Sequence, residues 1–151
     1  MFIKAHTLEN IINDDIHKIL YVADKLRLSS YGSFVIRGSR YIAGHSGPIN
    51  MNLVSFLKEI PDNFDHKKPV DFEELSVADF VCLNTACSMY WSYLDQTENK
   101  SVDKFSEISN DIAYNNAFYS DDDRMSIEDI AEAACPEQYE SLIKHLYENG
   151  Y

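Results

Sequence analysis

The stretch VADFVCLNTACSMYWSYL, Val77 to Leu94, holds 13 apolar residues in 18. Asp79, Asn84, Thr85, Ser88 and Ser92 interrupt it, which makes it too polar for a membrane span. As a helix it makes about five turns. A helix that is apolar on most of its sides belongs at the centre of a core. Ser76 with Asp79 three residues on forms a capping box in its Asp form and marks the start. Phe80 and Trp91 are the expected anchors of that core.

The remaining elements are read as packing around this helix. Leu8, Ile11, Ile12, Ile16, Ile19, Leu20 and Ala23 recur mostly at three- and four-residue steps, one face of an amphipathic helix with Thr7 as N-cap. The preceding MFIK suits a short edge strand. In SFVIRGSRYIAG, β-favouring Phe34, Val35 and Ile36 face Tyr41 and Ile42 across Gly38-Ser39, a two-residue hairpin loop. That register places Arg37 opposite Arg40, Ile36 opposite Tyr41 and Val35 opposite Ile42. Leu53, Phe56, Leu57 and Ile60 predict a short helix ended by Pro61, followed by a polar loop over 61–72. Ser101 caps a helix with Val102, Phe105, Ile108 and Ile112 inward. After the acidic loop 120–124, Ser126 with Asp129 starts a helix that buries Ile127, Ile130 and Ala134. Pro136 opens the last helix, with Tyr139, Leu142, Ile143 and Leu146 inward and Gly150 as its stop. The fold expected is α+β, a small antiparallel sheet with a β-hairpin packed against five to six helices. Its 151 residues fit a single globular domain, 1–151.

Charge narrows the function. The net charge is −12. Residues 1–60 carry seven Lys/Arg against five Asp/Glu, a balance of +2, and residues 61–151 carry six against twenty, a balance of −14. Such a surface repels nucleic-acid phosphates and anionic membranes and attracts basic partners. The three cysteines, Cys82, Cys87 and Cys135, suggest no disulfide framework and fit a reducing, cytoplasmic compartment. The N-terminus lacks the apolar segment of a signal peptide.

The acidic side chains are patterned. Asp103, Glu107 and Asp111, spaced by four, would align on one helix face about 6 Å apart along the axis. Same-sign neighbours at that spacing repel. Glu128 and Glu132 repeat the spacing, and Asp121, Asp122 and Asp123 lie between. A solvated face is the plain reading. With only Lys104 and Arg124 interrupting, the functional reading is a surface that competes for a basic groove. Tyr114, Tyr119, Tyr147 and Tyr151 lie in the same half, and tyrosine is enriched at interfaces. Arg37 and Arg40, like charges facing across a hairpin, need an anion to offset their repulsion. The chain's own carboxylates are the expected source, with an acidic partner or a phosphate as the functional alternative.

Other chemistry is weakly signalled. AGHSGP places His45 beside Ser46, but Pro48 stands where a nucleophile elbow has its last glycine. Asp14 with His17, and His145 with Glu148, pair possible ligands without a third, so no metal or other cofactor is expected. Cys82 and Cys87 read as core.

ADKLRLSSYGSF followed by RGSRYIAG resembles the segment of ArdB/KlcA antirestriction proteins where a helix runs into a short aromatic hairpin with a Gly turn. ELSVADFVCLNTACSMYWSYL is similar to that family's next, Ser-capped apolar helix, and KFSEISNDIAYNN to the helix after it. The resemblance covers about residues 20–115. The family's Gly-Gly and tryptophan in the hairpin are here Tyr31-Gly32 and Phe34. It implies a small α+β protein from a mobile element that counters host restriction enzymes without catalysis, and carries over no site residues.

The reading is therefore a non-enzymatic acidic inhibitor of a basic, nucleic-acid-handling protein, of antirestriction, anti-CRISPR or toxin-immunity type. Its expected contacts are Asp103, Glu107, Asp111, Asp121, Asp122, Asp123, Glu128 and Glu132. The alternatives are a small serine hydrolase using Ser46 with a distant histidine, or a structural or regulatory subunit.

Overall fold

The computed structural model describes residues 13–59, 75–95 and 104–151. Helix α1 (Asn13–Tyr31) is the axis of the molecule. Every residue from Ile16 to Asp24 is buried. One side of it, with Ile16, Ile19, Leu20 and Ala23, packs on Leu83, Ala86, Cys87 and Tyr90 of α3 (Val77–Asp95) and on Phe105 of α4 (Lys104–Ser109). The other side, with Tyr21 and Leu28, packs on the hairpin and on α5 (Ile112–Phe118), α6 (Ile127–Ala134) and α7 (Tyr139–Glu148).

This corrects the expectation that the Val77–Leu94 helix is central. Val77 is 80% exposed and Val81 46%, and the buried residues of α3 lie on one side. The apolar count misses α1 because α1 carries polar residues that find partners inside. The Asn50 amide donates to His17 Nδ1 (3.2 Å), and the Lys18 ammonium donates to Ser106 Oγ (2.8 Å). The Asp24 carboxylate accepts from the Val35 amide and the Tyr41 hydroxyl, both at 2.6 Å. A polar group can be buried when its hydrogen bonds are made. Among the described residues no buried side-chain nitrogen or oxygen lacks a partner.

The hairpin exists, but one step further along the chain. Strands β1 (Tyr41–Gly44) and β2 (Gly47–Asn50) pair antiparallel, Tyr41 with Asn50 and Ile42 with Ile49, around His45-Ser46. Gly38 instead sits at φ +72° in a turn closed by the Ser39 amide on the Ile36 carbonyl (3.1 Å). Phe34–Ile36 is not a strand. The buried Asp24 carboxylate claims the Val35 amide, a donor a ladder would need. The free edge of β1 is covered by residues 123–125, where Ala43 donates to Asp123 O (2.7 Å) and Met125 to Tyr41 O (3.0 Å).

Where one helix was expected from Ser101 to Ile112, the described part breaks into α4 and α5. Asp111 caps α5, accepting from the Ala113 and Tyr114 amides at 3.0 and 3.3 Å. Ile112, expected inside, is 54% exposed. Helix α2 (Met51–Glu59) buries Leu53, but Phe56 faces solvent. The local signals elsewhere match. Ser76 and Asp79 exchange backbone-to-side-chain bonds at 3.3 and 3.1 Å, and Ser126 Oγ accepts from the Asp129 amide at 3.0 Å. Pro136 opens a short 3-10 turn that leads into α7. Gly150, at φ +81°, ends α7 in a Schellman motif, with Gly150 N on Tyr147 O and Tyr151 N on Leu146 O. That reversal delivers Tyr151 to the 34–39 segment. Its ring stacks on Phe34 (4.8 Å between centroids) and its hydroxyl donates to Ser39 O (2.8 Å).

The architecture is a small α+β fold, with seven described α-helices and one two-stranded antiparallel sheet. The extra helix over the expected number comes from the break at Asn110-Asp111. No described helix is long and apolar enough to cross a membrane. The expected edge strand at MFIK, the Thr7 and Ser101 caps, Leu8, Ile11, Ile12, Pro61 and the 61–72 loop lie outside the described residues.

Candidate functional site

The acidic residues divide into structural and outward-facing groups. Asp111 is structural. Its carboxylate meets the Lys25 ammonium at 2.6 Å and accepts from the Tyr21 hydroxyl at 3.0 Å, while capping α5. Lys25 is itself held over the Tyr21 ring (5.1 Å) and donates to Ile108 O (2.8 Å). Burial, and then the nearby Asp111 charge, push the Tyr21 hydroxyl well above the usual tyrosine range. The expected Asp103–Glu107–Asp111 stripe is therefore corrected. Glu107 is exposed on α4, Asp111 lies past the helix break and faces an internal cation, and Asp103 falls outside the described residues.

Outward-facing charge gathers after α5. Asp121, Asp122 and Asp123 are all exposed. Arg124 grips Asp122 through Nε (2.9 Å) and Nη2 (2.7 Å), and these bonds hold the Asp122 carboxyl below its ordinary range. The loop is ordered further by the Ser120 hydroxyl on the Asp122 carbonyl and by the Asp123 carbonyl on β1. Among the described residues no cation pairs with Asp121 or Asp123. On α6, Glu132 is exposed and Glu128 accepts the Tyr147 hydroxyl, which raises the Tyr147 pKa.

Beside this loop an aromatic ladder climbs from core to surface. Buried Tyr114, anchored by its hydroxyl on Gly44 O (2.8 Å), stacks on Phe118 (5.3 Å between centroids). Phe118 meets Tyr119 edge-on at 5.2 Å, and Tyr119 is 82% exposed. Helical periodicity does not single out Phe118, and the sequence reading places Tyr119 only among other tyrosines. The readable signal was the run AFYSDDD, an aromatic pair set directly before an acidic triplet.

Arg37 and Arg40 do not face each other across the hairpin. Arg37 is exposed in the 36–39 turn, with Nη2 3.4 Å from Asn149 O. Arg40 precedes β1, its amide on Asn52 Oδ1 (3.2 Å) and its carbonyl on the Met51 amide (2.9 Å). Among the described residues neither has a carboxylate partner, so their expected neutralisation by the chain's own acids is not seen.

Ser46 and His45 are exposed at the hairpin tip. No described histidine or carboxylate is hydrogen-bonded to the Ser46 hydroxyl. His17 is turned to the Asn50 amide, and burial lowers its pKa against the opposing pull of Asp14. Cys82 and Cys87 are buried, and burial pushes both thiols up, Cys87 to about 11, which makes them poor nucleophiles. Among the described residues no three His, Cys, Asp or Glu side chains gather as metal ligands.

No protein-family model matches the chain, and comparison with curated proteins and with solved structures returns no match.

Proposed function

We propose that this chain is a non-catalytic binding protein that docks a basic, nucleic-acid-handling protein and blocks it. The observation that carries the reading is the pairing of Tyr119, 82% exposed, with an ordered loop presenting Asp121 and Asp123. Exposed aromatic side chains supply contact area at little entropic cost, and surrounding charges steer a basic partner and set its register. Glu128 and Glu132 extend the surface along α6, and Glu107 is an outlying contact. Asp111 serves the fold instead. The resemblance to ArdB/KlcA antirestriction proteins points to the same kind of target, a host restriction enzyme, and to action in the cytoplasm. The three free cysteines suit such a compartment.

The test begins with capture of partners from a host lysate at low and high salt. Association with the basic partner so identified is then timed. The Tyr119→Ala variant and the Asp121→Asn/Asp123→Asn double variant slow association, and added salt slows the wild type. An on-rate indifferent to both variants and to salt removes this surface as the interface. A complex that persists unchanged at high salt points to the structural-subunit alternative. Loss of activity on Ser46→Ala would instead reinstate the hydrolase.

A further inference from the structure

Arg37 is left over by the docking surface, and its surroundings point elsewhere. It lines a cavity of about 400 Å³ where the end of α1, the 32–37 segment and the end of α7 meet. Arg27, Tyr31, Asp79, His145 and Tyr151 also line it. A second cavity of about 260 Å³ shares Tyr31 and His145, so the two form adjoining parts of one cleft.

The charge in this cleft runs against that of the whole chain. The protein holds 25 Asp/Glu against 13 Lys/Arg. Among side chains, the larger cavity is lined by two arginines and one carboxylate, and that carboxylate is engaged. Asp79 meets Arg27 Nε at 2.9 Å, and despite partial burial the bonds from Ser76 and Arg27 hold its pKa down. Arg27 in turn lies over the Tyr31 ring at 4.8 Å, fixing one wall. The Phe34–Tyr151 stack fixes another. Arg37 has a single long contact, 3.4 Å to a carbonyl. A guanidinium carries five donors in a fork that fits the oxygens of carboxylate or phosphate. Most of that fork has no partner among the described residues.

We infer that this cleft binds a small molecule carrying an oxyanion, phosphate or carboxylate, on a flat body, with Arg37 as the anion anchor and the Tyr31 and Tyr151 rings as walls. Arg27 positions Tyr31 and contributes its field. His145, whose Nδ1 lies 3.3 Å from the Asn149 side-chain amide, offers a further polar contact.

The site is tested on the full chain by following backbone amide and arginine side-chain resonances during titration with inorganic phosphate and, separately, with benzoate. Saturable shifts centred on Gly32, Ser33 and Arg37 with either probe support the site, and the stronger probe identifies the anion. Arg37→Gln weakens binding about tenfold or more, the loss of one bidentate charged contact. Arg40→Gln removes the same charge three residues away, lines neither cavity, and leaves binding within about twofold. Both variants sit at exposed positions, and an unchanged amide spectrum away from the cleft verifies their folding. No saturable shift with either probe, or equal weakening by both variants, overturns the inference.

Discussion

Asp24 is fully buried, and among the described residues no cation forms an ion pair with it. Burial raises its carboxyl to about 7, while the bonds from Tyr41 and Val35 pull the other way. In the unfolded chain the same group titrates near 3.8, so across the interval to about 7 the native state keeps a proton the unfolded state has lost. Its contribution to stability is full below that interval and declines as pH rises through it. Urea midpoints measured across the interval should show Asp24→Asn gaining on the wild type as pH rises, levelling above about 7. A constant difference between the two would refute the shift. Asp111 makes the complementary case. Asp111→Asn keeps a good N-cap residue but strips Lys25 of its charged partner. The expected cost is about 2 kcal/mol, typical of a hydrogen bond to a charged group. Chemical denaturation measures it, and the loss largely disappears when Lys25→Met is already present.

At the scale of elements, short-range rules place the helix ends. Ser126 is only half-buried, yet its hydroxyl satisfies the Asp129 amide at the start of α6. Ser126→Ala should cost about 1 kcal/mol by thermal or chemical unfolding. At the other end of the chain, Gly150→Ala forces a side chain into the left-handed region and should cost roughly 1 kcal/mol. Its signature is distinctive, because the same turn seats Tyr151 on Phe34. Hydrogen exchange should quicken in the 34–39 segment as well as at the end of α7. Elements also show where local reading stops. Val35 and Ile36 have strand-forming side chains, but the carboxylate that bends them away belongs to α1.

For the molecule as a whole, charge sign and burial separate stability from binding. Tyr119, Asp121 and Asp123 are exposed and form no described ion pair. The Asp121→Asn/Asp123→Asn pair should leave the unfolding free energy within about 0.5 kcal/mol, the usual range for exposed sites. Binding of a basic partner should be slowed by the same change. Asp111→Asn behaves in the opposite way, losing stability before it alters association. Measuring both quantities for both variants distinguishes a docking surface from a merely solvated exterior.

Much of this was legible from residues alone, because it depends on neighbours within about four positions. The caps at Ser76, Ser126 and Gly150, the helical stretches and the α+β character belong there, and the excess of acid follows from composition. The tertiary structure decided which helix lies at the centre, where the hairpin turns, and which acids face outward. Those outcomes rest on partners distant in the chain. Lys25 meets Asp111 across 86 positions, and Tyr41 reaches Asp24 across 17. Periodicity can say that a helix has a side to bury. It takes the folded chain to bring up the groups that let α1, with its histidine, lysine and aspartate, be buried on every side, while the more apolar α3 keeps Val77 and Val81 in solvent.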